Sequence, residues 1–247
     1  MTEEEPGIVL NCLEDNDSAS QPKRFFVTTD VYVDVVEEFG ENLEFSSYSN
    51  TIWDGALLAS SYFRRNPWLL KGKTLVELGS GLGLPSLVAA TCGAIATATE
   101  QEPLHLLRRE VQRNSDRLRR VGGQEVKVKA LDWEWEASDI LRKLESEPFD
   151  IVLGCDILAG VKSGSRHFRL ILQIAATILK QDGVALFTWI PRMGRELREF
   201  TSCIEEELPE FSVTVLEKEL FDPEFLGEGS MLKLQRRGYE LRLDEMD

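Results

Sequence analysis

The residues best placed to do chemistry fall in one glycine-rich stretch. Residues 74–90 read TLVELGSGLGLPSLVAA: an apolar run, then Glu77-Leu78-Gly79-Ser80-Gly81-Leu82-Gly83, then an apolar segment opening on Leu84-Pro85. Glycine-rich turns between a strand and a helix let backbone approach a ligand closely, and they hold NAD, FAD, nucleotide phosphates or S-adenosylmethionine. The dinucleotide fingerprint G-x-G-x-x-G/A, started at Gly79, requires Gly or Ala where Leu84 stands, and the Walker A pattern is absent. What remains is E-x-G-x-G-x-G, which a plain tight turn would also satisfy. A second chemical group follows at a meaningful distance. Glu100 lies 23 positions after Glu77, at the end of ATATE, where open α/β sheets place an acid on ribose hydroxyls.

The elements that must position these groups alternate along the chain. TLVELG reads as a buried strand and LPSLVAATCG as a helix with Gly93 at its C-terminus. AIATATE is a strand. Residues 102–120 are a helix with Leu104, Leu107, Val111 and Leu118 on one face, and EVKVKALDW is a strand. FDIVLGCD is a fourth apolar strand. Residues 166–180 form a helix with a stripe of Phe168, Ile171, Leu172, Ala175, Ile178 and Leu179, and GVALFTWI is a fifth strand. Residues 195–208 are helical, with Leu197, Phe200, Ile204 and Leu208 facing in. FSVTVLEKE and MLKLQRRGYELRL then close the chain as strand-like runs with no strong helix between them. Strands alternating with helices predict a doubly wound, mostly parallel α/β sheet, and the last two runs predict an antiparallel C-terminal edge. Before this unit, residues 24–39 read as one or two short strands. TIWDGALLASSYFRRN reads as a helix with Trp53, Ala56, Leu57, Ser60 and Phe63 on its inner face.

Composition narrows the class. The chain has 247 residues, enough for one full-size domain with a real core, so residues 23–247 are expected to form a single unit. Residues 1–22 hold six acids and no Lys or Arg, which reads as a flexible acidic tail. There is no basic n-region with a long apolar run and no apolar run of 18 residues, so neither a signal peptide nor a membrane span is expected. Cys12, Cys92, Cys155 and Cys203 form no CxxC pair and histidine occurs twice, which argues against a metal site and for reduced thiols in a cytoplasmic protein, with the nucleus as an alternative compartment. The net charge of -15 disfavours nucleic acid and favours a Lys- or Arg-rich protein segment as partner. Arg108, Arg109, Arg113, Arg117, Arg119 and Arg120 crowd one helix, with Lys127 and Lys129 following; without interleaved aromatics they read as a solvated helix face. A monomer is the favoured state, with oligomerisation left open by the sequence.

The loop spacing resembles motif I of the seven-β-strand methyltransferases that use S-adenosylmethionine. That ligand has no pyrophosphate. It needs backbone close to its methionine moiety, supplied by Gly79 and Gly81, and a carboxylate for its cationic groups or for orienting the loop, supplied by Glu77. After the third strand, Asp132 is placed to accept from an adenine amino group and Trp133 to provide a flat apolar wall. The longer string TIWDGALLASSYF…LLKGKTLVELGSGLGLPSLVAATCGA…ATEQ…LDW…FDIVLGCDIL resembles the family-16 branch of these enzymes over roughly residues 49–189. Several members of that branch methylate lysines on non-histone proteins. The resemblance implies strand order 3-2-1-4-5-7-6 with the last strand antiparallel. It also implies S-adenosylmethionine held by Trp53, Glu77, Gly79, Gly81, Glu100, Asp132 and Trp133.

One departure bears on the acceptor. Lysine-methylating members carry D-x-x-Y or D-x-x-F after the fourth strand; here the stretch is Asp156-Ile157-Leu158-Ala159. The acid that would position the target amine is present, while the aromatic that would stabilise a methylammonium by cation–π contact is not. Trp189, ending the fifth strand, is a substitute wall or a core residue. An NPPY-like motif is absent, and His105 and His167 read as helix residues rather than catalysts. The expectation is therefore a protein methyltransferase acting on lysine, with Asp156 at the reacting amine. The alternative motivated by Ala159 is a methyltransferase-fold binding or chaperone-like module that keeps the cofactor without efficient transfer.

Overall fold

In the computed structural model, residues 22–38, 48–158, 165–191, 197–222 and 229–239 are described. Residues 1–21 of the acidic tail, Phe39, Ala159, the first two residues expected in the 195–208 helix and residues 240–243 of the last strand-like run lie outside them.

The first strand of the main sheet shows why the architecture follows from the sequence. In β3, Thr74–Leu78, successive side chains alternate between faces. Leu75 joins the apolar cluster on one face, and Val76 and Leu78 join the cluster on the other. A strand apolar on both sides must be covered on both sides. The helices α1 (Asp54–Arg65), α2 (Leu84–Thr91) and α3 (His105–Arg120) supply the first cover; α4 (Ala137–Leu144), α5 (Arg166–Ile178) and α6 (Leu197–Glu207) supply the second.

The other strands are β4 (Ile95–Glu100), β5 (Lys127–Ala130), β6 (Phe149–Gly154), β7 (Leu179–Trp189), β8 (Phe211–Val215) and β9 (Ser230–Arg236). The seven-stranded sheet runs β5-β4-β3-β6-β7-β9-β8. Renumbered from β3, this is the expected 3-2-1-4-5-7-6. β3 pairs parallel with β4 and β6, and β9 pairs antiparallel with β7 and β8. The order reverses at β3, so the carboxyl ends of β3, β4 and β6 open on one crevice.

A separate antiparallel hairpin, β1 (Lys23–Phe26) with β2 (Tyr32–Val35), lies on the helical layer and buries Phe25, Val33 and Val35 in the same core as α2 and α3. It is not an edge of the main sheet.

Several boundaries differ from the sequence expectation, each for a local reason. The helix expected from residue 102 begins at His105, because Pro103 disfavours helical backbone at Glu102. The helix expected to reach Lys180 ends at Ile178, where the backbone turns extended into β7. The inner face expected for α1 is too narrow. Leu58 to Phe63 are all buried, because this helix is enclosed by α2, β7 and the 220–222 segment, where Tyr62 meets Phe221. The sequence reading has no α4: an eight-residue helix whose buried residues are Ile140 and Leu144 is too short to show a period.

Candidate active site

The glycine loop is shaped by backbone that only glycine adopts without strain. Gly79, Gly81 and Gly83 have φ of 65°, 52° and 79°, the left-handed region that costs other residues about 1–2 kcal/mol. A Cβ on Gly79 would lie 3.0 Å from Ile157 Cγ2 and 3.2 Å from Trp133 Cζ2, so this glycine also makes room for both. One on Gly81 would lie 3.5 Å from the Ser49 carbonyl.

The loop is fastened to the strands beside it. The Ser80 N–H donates to the Thr99 carbonyl at 2.8 Å, and the Thr99 hydroxyl donates to the Glu77 carbonyl at 2.6 Å. The Thr99 N–H returns a bond to Ser80 Oγ at 3.0 Å. Ser80 and Thr99 were not singled out by sequence reasoning; Thr99 is fully enclosed, and nothing in ATATE distinguishes it from Thr97.

Glu77 lies on the same face of β3 as Leu75 and so points into the core, where it is 1% exposed. Its Oε2 accepts from the Ser86 hydroxyl at 2.5 Å and from the Ser86 N–H at 3.2 Å. Of the two roles considered for it, orienting the loop is the one this geometry serves, because it joins β3 to the first turn of α2. Burial pushes its carboxyl up to about 8, against the pull of Ser86. Cys155 faces it and is itself raised by burial and by the carboxylates of Glu77 and Asp156.

Glu100 ends β4 and reaches back to the loop. Its Oε2 accepts from the Gly81 N–H at 2.8 Å and its Oε1 from the Gln101 N–H at 3.0 Å. Burial raises this carboxyl, with the two N–H bonds opposing. Asp132 lies two residues beyond the end of β5, and the intervening Leu131 N–H donates to the Glu100 carbonyl at 2.9 Å, so the two acids leave adjacent strand ends. Asp132 Oδ1 accepts from the Glu134 N–H at 2.9 Å, shaping a turn that lays Trp133 against Gly79. Trp53 precedes α1, half-buried, and its carbonyl accepts the N–H groups of Ala56 and Leu57.

Asp156 follows β6 with φ of 59°, a region in which non-glycine residues are uncommon and which Asp tolerates better than most. Its Oδ2 accepts from the Gly55 N–H at 2.8 Å, and its own N–H donates to Thr188 Oγ1 at 3.0 Å. The first turn of α1, the end of β6 and the end of β7 meet at Asp156, α1 on its carboxylate and β7 on its N–H. A Cβ on Gly55 would lie 2.8 Å from the Asp156 carboxyl carbon and would run into Thr188. Gly55 and Thr188 belong to the arrangement and were missed by sequence reasoning; a glycine inside an otherwise good helix was the signal for Gly55. Trp189 is 7% exposed among the core residues of the second face and is not a wall of this crevice.

The structure thus gathers Glu77, Gly79, Gly81, Glu100 and Trp133 around one loop, with Asp132 at the neighbouring strand end. Asp156 stands across β3 from Glu100. Four of the six arginines of α3 are engaged away from the crevice. Arg109 and Arg113 pair with Glu110, Arg117 with Asp34 and Arg119 with Asp116. Among the described residues no group of three or more His, Cys, Asp or Glu is placed to hold a metal. No described helix is long and apolar enough to cross a membrane.

The arrangement fits S-adenosylmethionine. The loop holds three glycines in left-handed backbone with no room for a Cβ at Gly79, and the acid ending β4 and the aromatic after β5 border the same loop. The comparisons agree. A lysine methyltransferase family model matches residues 37–206. The protein N-lysine methyltransferase METTL21A of Danio rerio is 31% identical over 151 residues, covering 61% of this chain and 64% of that protein. The protein N-terminal and lysine N-methyltransferase EFM7 of Gibberella zeae is 27% identical over 208 residues, covering 77% of each chain. Among solved structures, a T. Thermophilus 16S rRNA N2 G1207 methyltransferase in complex with AdoMet and guanosine superposes with a TM-score of 0.53 at 18% identity. It covers 89% of this chain and 51% of that one, a likeness of fold.

Proposed function

The chain belongs to the lysine methyltransferase family, and from that premise we propose that it transfers a methyl group from S-adenosylmethionine to a lysine side chain of a protein. The single observation carrying this reading is that two carboxylates flank β3 at its open end. Glu100 is bonded to the glycine loop and Asp156 to the start of α1. When bound, S-adenosylmethionine supplies an activated methyl group on a sulfonium centre.

The protein's own residues would then bind, align and exclude water. Gly79 and Gly81 admit the methionine part close to backbone, Glu100 takes the ribose hydroxyls, and Asp132 and Trp133 border the adenine. Trp53 borders the cofactor from the α1 side. Glu77 acts from within the core by fixing the loop on α2. Asp156 would hold the lysine Nζ through a hydrogen bond and stabilise the charge this nitrogen gains, a positioning task rather than strong base catalysis. The acidic chain favours a basic protein segment over nucleic acid as substrate.

The second reading, a cofactor-binding module without efficient transfer, rests on Ala159, which lies outside the described residues. Calorimetric titration with S-adenosylhomocysteine tests the cofactor half. Saturable binding that Glu100→Ala weakens by about tenfold or more is expected for the loss of hydrogen bonds to a ligand. Absence of binding to the wild type would overturn the reading.

A further inference from the structure

The N-terminal hairpin carries none of the residues assigned above, yet α3 grips it through buried groups. Glu110, fully enclosed, accepts the Val36 N–H at 3.0 Å on one oxygen and Arg109 Nε on the other. Asn114 bonds both the N–H and the carbonyl of Asp34, at 3.0 and 2.8 Å. Arg109 also donates to the Val36 carbonyl and pairs with Glu38. Residues 36–38 are therefore held firmly where they leave the hairpin.

That held segment meets the residues just before α1. Glu37, 5% exposed, accepts from the Thr51 hydroxyl and the Ile52 N–H, both at 2.7 Å and both on Oε1. Its other oxygen pairs with Lys23. The neighbouring Glu38 N–H donates to the Asn50 carbonyl at 3.2 Å, and Asn50 Nδ2 returns a bond to the Glu38 carbonyl at 2.9 Å. Residues 49–55 are in turn the piece of chain shared by both sides of the crevice. Ser49 lies over Gly81, Trp53 precedes α1, and the Gly55 N–H holds Asp156.

We propose that Glu37 is a positioning residue for the whole site. Its carboxylate pins residues 51–52 and thereby sets both the cover over the glycine loop and the N–H that aims Asp156. This rests on the methyl-transfer reading for its consequence, but its geometric core does not. Burial pushes the carboxyl up, and the bonds from Lys23, Ile52 and Thr51 together bring it below its ordinary value, so it stays ionised as an acceptor.

The test uses the full chain, well below its unfolding temperature, with two readouts: amide hydrogen exchange at residues 52–55 and S-adenosylhomocysteine affinity. Glu37→Ala should speed that exchange and weaken binding, each by about tenfold, as expected for two lost buried bonds. Glu37→Gln keeps an oxygen for Thr51 and Ile52, loses a pair to a part-exposed lysine, and should stay within about threefold of wild type. Leu144→Ala, in the core of the opposite face, should lower the unfolding temperature and leave both readouts unchanged. Should Glu37→Ala not fold, Thr51→Val removes one of the two bonds and should still speed exchange at Ile52. Wild-type exchange at 52–55 in Glu37→Ala or Thr51→Val would overturn the proposal, as would equal loss of binding in Leu144→Ala. If the wild type binds no S-adenosylhomocysteine, the functional reading fails and the exchange data alone decide the role of Glu37.

Discussion

Glu100 and Asp156 stand on opposite sides of β3, each accepting from the backbone N–H of a glycine, yet they are built differently. The partner of Glu100 is Gly81, 19 residues away in sequence, within one βαβ unit. The partner of Asp156 is Gly55, 101 residues away, on a helix that precedes the sheet. The cofactor side is thus assembled locally. The acceptor side requires α1, β6 and β7 to have docked first. The locally built loop takes only its cover at Ser49 from distant chain, whereas a carboxylate aimed by a distant helix moves when that helix moves.

The largest effect should separate the two sides. Asp156→Ala should lower methyl transfer on the order of 100-fold while leaving S-adenosylhomocysteine affinity near wild type. Gly55→Ala should imitate it, because its Cβ would meet the Asp156 carboxyl group. Transfer and titration measured on the same preparations check this, and a parallel loss of affinity in both variants would erase the distinction. Next comes Gly79→Ala, on the cofactor side. Left-handed backbone and contacts near 3 Å with Ile157 and Trp133 combine there, so affinity should fall by about tenfold.

A smaller effect follows from the buried acid behind the loop. Glu77 is raised from its ordinary 4.5 to about 8, so between these values the folded chain holds a proton that the unfolded chain has lost. Its contribution to stability is complete below the lower value and is lost as pH rises through the upper one. The unfolding temperature should fall across that window, and Glu77→Gln should flatten the fall. An unchanged slope in Glu77→Gln would remove Glu77 as its source. Smallest of all, Arg119→Ala removes an exposed pair with Asp116 and should change stability by no more than about 0.5 kcal/mol in thermal unfolding.

How much of this was legible in the sequence follows the same division. Gly79, Gly81, Glu100 and Trp133 declare themselves by spacing, because a strand, a tight turn and a helix fix their distances over a few residues. The parallel sheet was legible for the same reason: apolar runs such as FDIVLGCD have nowhere to go but between two helical layers. Asp156 was legible as a motif residue, but its partners were not. Gly55 and Thr188 acquire meaning only once the chain has closed over more than a hundred residues. Glu37 and Glu110 are harder still, since a buried acid in a polar stretch resembles a solvated one until its hydrogen bonds are known. The short helix α4 was invisible to periodicity, and the enclosed α1 showed a narrower stripe than it buries.

The most direct test of the account is incubation of the purified chain with labelled S-adenosylmethionine and a cell lysate, followed by mass spectrometry of labelled peptides, with Asp156→Ala in parallel. Methyl groups are expected on lysine side chains of one or a few proteins, absent with the variant. No label above the variant, or label confined to residues other than lysine, would contradict it.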